Sequence, residues 1–241
     1  FWFAGLLAAF CVGLGKGGVP VITAVGVPIM SLFMSPILAA GLLLPVFITA
    51  DMFGLYAYRK LFHRRVLAIM IVAMPIGVLI GWATSAYVTE RAVTLLIGLI
   101  GGWFSIAMIV RKPAAPTKAY PEVGKGMFWG TISGFTSFVS HAGGPPAAVY
   151  LLSQRLGKTR FQSTTVLLFW MINIAKFIPY AFLGLFTAET ALANLYLAPF
   201  ALLGTWLGVR AHHFVPERLF FGITYVLLSL TGSKLVWDAL S

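Results

Sequence analysis

"SHAGGPP", Ser140 to Pro146, lies in the middle of an apolar segment running from 126 to 152. Two glycines and two prolines in succession end a continuous helix. Relative to alanine, each glycine in a helix interior costs about 1 kcal/mol and each proline about 3 kcal/mol. The flanks of the segment decide what the break means. Lys118 and Lys125 precede it, and Arg155, Lys158 and Arg160 come after it. Basic connections collect on the cytoplasmic side of a membrane, so this segment is expected to enter and leave on one face. A re-entrant hairpin with its tip at the break satisfies both requirements.

The composition supplies the membrane. Of the 241 residues, 60% are hydrophobic and 10% charged, against roughly 25% charged in soluble domains. Mean hydropathy is +0.95. These values imply a multi-pass protein in the lipid bilayer, of about six to eight spans at roughly 20 residues each. The net charge of +11 reflects the positive-inside bias and does not call for nucleic acid. The lone Cys11 excludes an internal disulfide. The chain opens at Phe1 inside an apolar stretch, without Met; a trimmed N-terminus is expected, and no leader is argued.

On either side of the break, apolar segments fall at 1–34, 37–58, 66–88, 92–110, 126–152, 163–184, 191–209 and 219–237. Arg59, Lys60, Arg64 and Arg65 form one basic connection, and Arg111, Lys112, Lys118 and Lys125 a second. Arg155, Lys158 and Arg160 form a third, and Arg210 with Arg218 a fourth. These are expected in the cytoplasm. Ser35-Pro36 and the corners Thr89-Glu90-Arg91 and Thr187-Ala188-Glu189 are nearly bare and expected outside. Segment 1–34 then enters and leaves externally. Its own break is "GLGKGGVP", Gly13 to Pro20.

The two breaks belong to a repeat. Gly17, Gly18 and Pro20 match Gly143, Gly144 and Pro146 at a constant spacing, and Gly77 and Gly81 match Gly204 and Gly208 with one gap. The expected fold is an all-α polytopic membrane protein of two repeats, 1–112 and 126–241, joined by a cytoplasmic linker at 113–125. Each repeat is a broken-helix hairpin plus three transmembrane helices. Three crossings are odd, so the repeats are inverted, as in many secondary transporters that bind substrate near the midplane.

Irregular backbone at membrane depth is tolerated where it is buried in protein or lines a cavity. A helix starting after each break, near Val19–Thr23 and Ala147–Tyr150, offers unpaired amides and a positive dipole end to an anion. Two tips facing each other make a small site of backbone donors. Gly77, Gly81, Gly204 and Gly208 are read instead as positions where helices pack closely. Lys16 and His141 stand at the tips; a lysine at the bilayer centre costs about 2.5–3.5 kcal/mol and calls for a partner or a function. Thr23, Ser137 and Ser140 add hydroxyls. Asp51 and Lys176 are two more intramembrane charges, with Asn173 one turn from Lys176. Asp51 is a candidate proton carrier or counter-ion to a lysine. Two lysines against one carboxylate favour an anionic cargo. The candidate substrate-binding set is thus Lys16, Gly17, Gly18, Pro20, Thr23, Ser140, His141, Gly143, Gly144, Pro146, Asn173 and Lys176, with Asp51 for coupling. No metal or cofactor is expected.

"GLGKGGVP", and "HAGGPP" with its preceding "GFTSFVS" (Gly134 to Ser140), in two similar halves joined by a basic loop, resemble the TauE/SafE sulfite exporter family. The resemblance covers nearly the whole chain. It implies secondary transport of sulfur-containing anions, such as sulfite, sulfonates or organosulfur acids, across the bacterial inner membrane. The family's first break is commonly a richer glycine run, part of which Lys16 occupies here. A passive anion channel of the same architecture is the alternative. No Gly-x-Ser-x-Gly element or paired aspartates support an enzyme, and "GLGKGG" lacks the Lys-Ser/Thr ending of a phosphate loop.

Overall fold

The computed structural model describes residues 2–18, 20–59, 61–84, 87, 89, 91–92, 95, 98–100, 102–103 and 121–240. No strand occurs among them. The helices are α1 (Trp2–Gly17), α2 (Gly26–Ser31), α3 (Pro36–Tyr58), α4 (Arg64–Thr84), α5 (Val123–Ser140), α6 (Gly144–Ser153), α7 (Lys158–Phe182), α8 (Ala188–Phe214) and α9 (Glu217–Leu240), with a 3-10 turn at Pro20–Val25. Most of the expected segment 92–110 and linker 113–125 lies outside the described residues, as do Lys60 and Glu90.

Among the described residues four helices are long and apolar enough to cross a membrane: Leu38–Tyr58, Arg64–Thr84, Lys158–Phe182 and Ala188–Phe214. Prolines lie inside all four, at Pro45, Pro75, Pro179 and Pro199. Leu192, Leu195, Tyr196, Leu203 and Trp206 on α8 are exposed, the surface a bilayer solvates. Backbone and hydroxyl caps join α7 to α8 without charged groups. Gly184, at φ 68°, comes after α7 and lets Leu185 N–H reach the Tyr180 carbonyl. Thr187 and Thr190 bond each other's amides at the start of α8.

The chain forms two compact units, Phe1–Phe62 with Gln162–Pro216, and His63–Phe161 with Glu217–Ser241. Each unit therefore takes elements from both halves of the chain. In the first, α1 folds back through the 3-10 turn so that Thr23 lies against Gly15, Gly26 against Val12, and Met30 near Gly5. Small residues make this possible: Ala4, Ala8, Ala9 and Val12 pack against Val27, Met30, Ala39, Phe47, Ala193 and Ala201. Methyl groups added to Gly13, Gly17, Gly204 or Gly208 would fall on the backbone of the facing helix, so α1 and α8 are in backbone contact.

The second unit repeats the scheme. Helix α6 folds back along α5, with Tyr150 Oη donating to the Glu122 carbonyl at 3.3 Å and Ser133 Oγ to the Gly143 carbonyl at 2.7 Å. Here α4 is the close partner, Gly77 lying on Thr131 and Gly134 on Met74. The glycine pairs read as packing positions thus do pack, each against helices from the other half of the chain. Arg91 Nε donates to the Ala239 carbonyl at 2.6 Å, placing a cation at the C-terminal end of α9.

Candidate functional site

In the first unit α1 stops at Gly17, in the protein interior, and its last carbonyls need donors. Gln162 Nε2 on α7 supplies the Gly15 and Lys16 carbonyls at 3.3 and 2.8 Å. Tyr58 Oη, at the end of α3, supplies Gly17 O. Ser163 Oγ in turn donates to the Tyr58 carbonyl at 2.8 Å, and the His212 ring packs edge-on against Tyr58 with centroids 5.6 Å apart. Gln162, Ser163 and Tyr58 were not among the residues singled out from the sequence. The available signal was the polar run "QSTT", Gln162 to Thr165, at the head of an apolar segment.

This capped end carries Lys16. Its ammonium is 2.6 Å from Asp51 Oδ1, with side-chain exposures of 5% and 0%. Asn173 Nδ2 donates to the other carboxylate oxygen at 2.7 Å. Phe47 and Phe169 present their rings to the ammonium at 5.4 and 5.0 Å from the centroids. Lys176, buried one turn beyond Asn173, lies within electrostatic range of Lys16 and Asp51. The fold therefore gathers Lys16, Asp51, Asn173 and Lys176 from three helices into one buried cluster with two lysines and one carboxylate. Nearby, Thr23 Oγ1 and Gln162 Oε1 are buried and have no hydrogen-bond partner among the described residues.

The donors at this break differ from expectation. Gly18 N–H is used by the Leu14 carbonyl at 3.0 Å, and Gly17 and Gly18 press on the α8 backbone at Thr205 and Gly208. The chain continues as a 3-10 turn, Pro20–Val25, and the six-residue α2, so the α-helix expected to start near Val19–Thr23 begins at Gly26. The positive group at this tip is the Lys16 side chain, while the glycines here serve close packing. Pro20 opens the 3-10 turn.

The break in the second unit is open. His141, at φ 54°, terminates α5 in the left-handed region, and the Ala142 amide bonds the Thr136 carbonyl. His141 Nδ1 lies 3.1 Å from the Ser137 carbonyl. A carbonyl only accepts, so Nδ1 carries the proton, and in the neutral ring Nε2 is an acceptor; the imidazolium offers a second N–H. Helix α6 begins at Gly144 with Pro145 and Pro146 in its first turn. Ala147 N–H already reaches the Gly143 carbonyl at 3.2 Å, so the amides of 147–150 are not the donors the sequence suggested. Because the two prolines have no N–H, the donors at this helix start are Gly143 and Gly144. A methyl on Gly144 would meet nothing within 4 Å, whereas one on Gly143 would collide with Ser133 and Ser137. The Ser140 side chain lies outside what is described.

Among the described residues, membrane-length helices, helix breaks at glycine and proline and buried lysines are features that membrane transporters use. The family model "Sulfite exporter TauE/SafE" matches residues 1–235, and the chain belongs to that family. It is a multi-pass membrane protein of a sulfur-anion exporter family, whose members are transporters. No curated protein and no solved structure matches it.

Proposed function

We propose that the protein is a secondary transporter carrying a small sulfur-containing anion, such as sulfite or a sulfonate, across the bacterial inner membrane. The observation that carries this reading is the buried Lys16–Asp51–Asn173–Lys176 cluster. Two lysines against one carboxylate inside a membrane protein are costly unless an anion visits. In the second unit the Gly143 and Gly144 amides, with the His141 imidazolium, form another anion-holding element at a helix start. Membership of a sulfite exporter family supports the same cargo.

The hairpins are re-entrant in this reading, which their short second arms support. At 1.5 Å per residue the ten residues of α6 extend about 15 Å, half the roughly 30 Å hydrocarbon core. The repeats 1–112 and 126–241 are inverted, and Asp51 is the coupling group, binding the proton whose gradient drives transport. The test has two stages. Thermal shift of the purified protein against sulfite, sulfate, thiosulfate, sulfoacetate, taurine and small carboxylates finds the ligand, because binding to the folded state alone raises its stability. Counterflow in proteoliposomes then separates carrier from channel: a carrier saturates and exchanges labelled for unlabelled anion, whereas flux without counterflow would mean a passive channel. Stabilisation by carboxylates alone would refute the sulfur-anion reading.

A further inference from the structure

The surroundings of Asp51 resemble an occupied oxyanion pocket. One carboxylate oxygen faces the Lys16 ammonium at 2.6 Å, and the other accepts from the Asn173 amide at 2.7 Å. Phe47 and Phe169 wall in the ammonium, and the Asp51 side chain is fully buried. A cation in front, an amide donor at the side and aromatic walls are what recognition of a small oxyanion requires. The occupant here is the protein's own carboxylate.

From this juxtaposition we infer that Asp51 is a built-in stand-in for the transported anion: in the empty protein its carboxylate fills the oxyanion position on Lys16 and Asn173, and the substrate binds by displacing it. Sulfite, a sulfonate and a carboxylate all present oxygens to an ammonium and an amide N–H, so the exchange needs no new donors. The empty protein keeps Lys16 paired, which avoids an isolated buried cation. Displacement frees Asp51 only when an anion arrives, so binding of cargo acts directly on the proposed coupling group. Lys16, Asn173 and Lys176 are the charged and hydrogen-bonding groups that act on Asp51. The inference rests on the anion-transport reading and adds a competition that a plain cationic site lacks.

An internal competitor lowers apparent affinity by the fraction of time Lys16 is unpaired. Isothermal titration with sulfite and with methanesulfonate, at one pH, compares wild type, Asp51→Asn and the double variant Lys16→Gln/Asp51→Asn. Asp51→Asn should bind about tenfold tighter or better than wild type. The double variant, neutral and hydrogen-bond competent, should lose that gain and bind at least about tenfold more weakly than Asp51→Asn. Unchanged or weaker binding by folded Asp51→Asn, or a double variant as tight as Asp51→Asn, overturns the inference. Should Asp51→Asn not fold, difference infrared spectra of wild type on adding sulfite decide it. Displacement shifts a carboxylate stretch that the double variant lacks, and no such shift overturns the inference. Wild type that binds neither anion refutes the sulfur-anion reading; wild type that binds while Asp51→Asn is neutral refutes the stand-in alone.

Discussion

Gly143 and Gly144 are adjacent, yet the structure assigns them opposite responses to the same substitution. A Cβ at Gly143 would sit 2.7 Å from the Ser133 carbonyl oxygen and 2.7 Å from Ser137 Cβ. Carbon contacts are comfortable at about 3.5–4.0 Å, so α5 and α6 would have to part by roughly 1 Å. Overpacking of this kind costs about 1–3 kcal/mol. The Ser133 Oγ–Gly143 carbonyl bond, 2.7 Å long, stretches with it, adding about 0.5–1.5 kcal/mol. Gly143→Ala is therefore expected to lose about 2–4 kcal/mol, a fall in Tm of about 5–15 °C for a chain of this size. At Gly144 a Cβ meets nothing within 4 Å, and no left-handed backbone is needed there. Gly144→Ala should hold its Tm or raise it, because alanine stiffens the unfolded chain by about 0.4–1 kcal/mol. Thermal unfolding in detergent, followed by circular dichroism, reads both variants. Equal destabilisation by the two, or a harmless Gly143→Ala, refutes the geometry given for the break. Gly144→Val then probes the ligand, since bulk beside an open amide should abolish sulfite binding while the hairpin persists.

His141→Ala should be less stable than His141→Gly by about 1–2 kcal/mol in thermal unfolding, because alanine resists the left-handed position. Both should weaken sulfite binding equally in titration, by about 1.5–3 kcal/mol for a lost charged hydrogen bond; unaltered binding removes His141 from the site. Tyr58→Phe leaves the ring against His212 but strips the donor from the Gly17 carbonyl, and should cost about 1–3 kcal/mol in denaturation. Cysteines introduced at Arg64 and Arg155 should react with an impermeant thiol reagent only from the cytoplasm, and one at Glu189 only from outside. Opposite faces for Arg64 and Arg155 would mean that the second hairpin is a full crossing.

The class of protein and the places where its helices break were legible in the chain alone. An apolar chain with few charges has a membrane as its solvent, and glycine and proline act on their own helix through bonds and sterics only a few residues long. The identity of the charged residues in the interior was equally legible, since Lys16, Asp51 and Lys176 interrupt apolar runs and each such charge demands an explanation. The partners that answer that demand came from tertiary packing. Lys16 meets Asp51 from a different helix, Asn173 joins from a third, and Gln162 caps carbonyls far away in sequence. Ion pairs and caps of this kind depend on which helix faces survive packing, and no local periodicity encodes that choice. The same holds for the two breaks, alike in sequence and unlike in use. Gly17 and Gly18 are consumed by contact with the α8 backbone, whereas Gly144 faces open space. A glycine has no side chain to announce its neighbour, so whether it accommodates a helix or a ligand is settled by what the fold places opposite it.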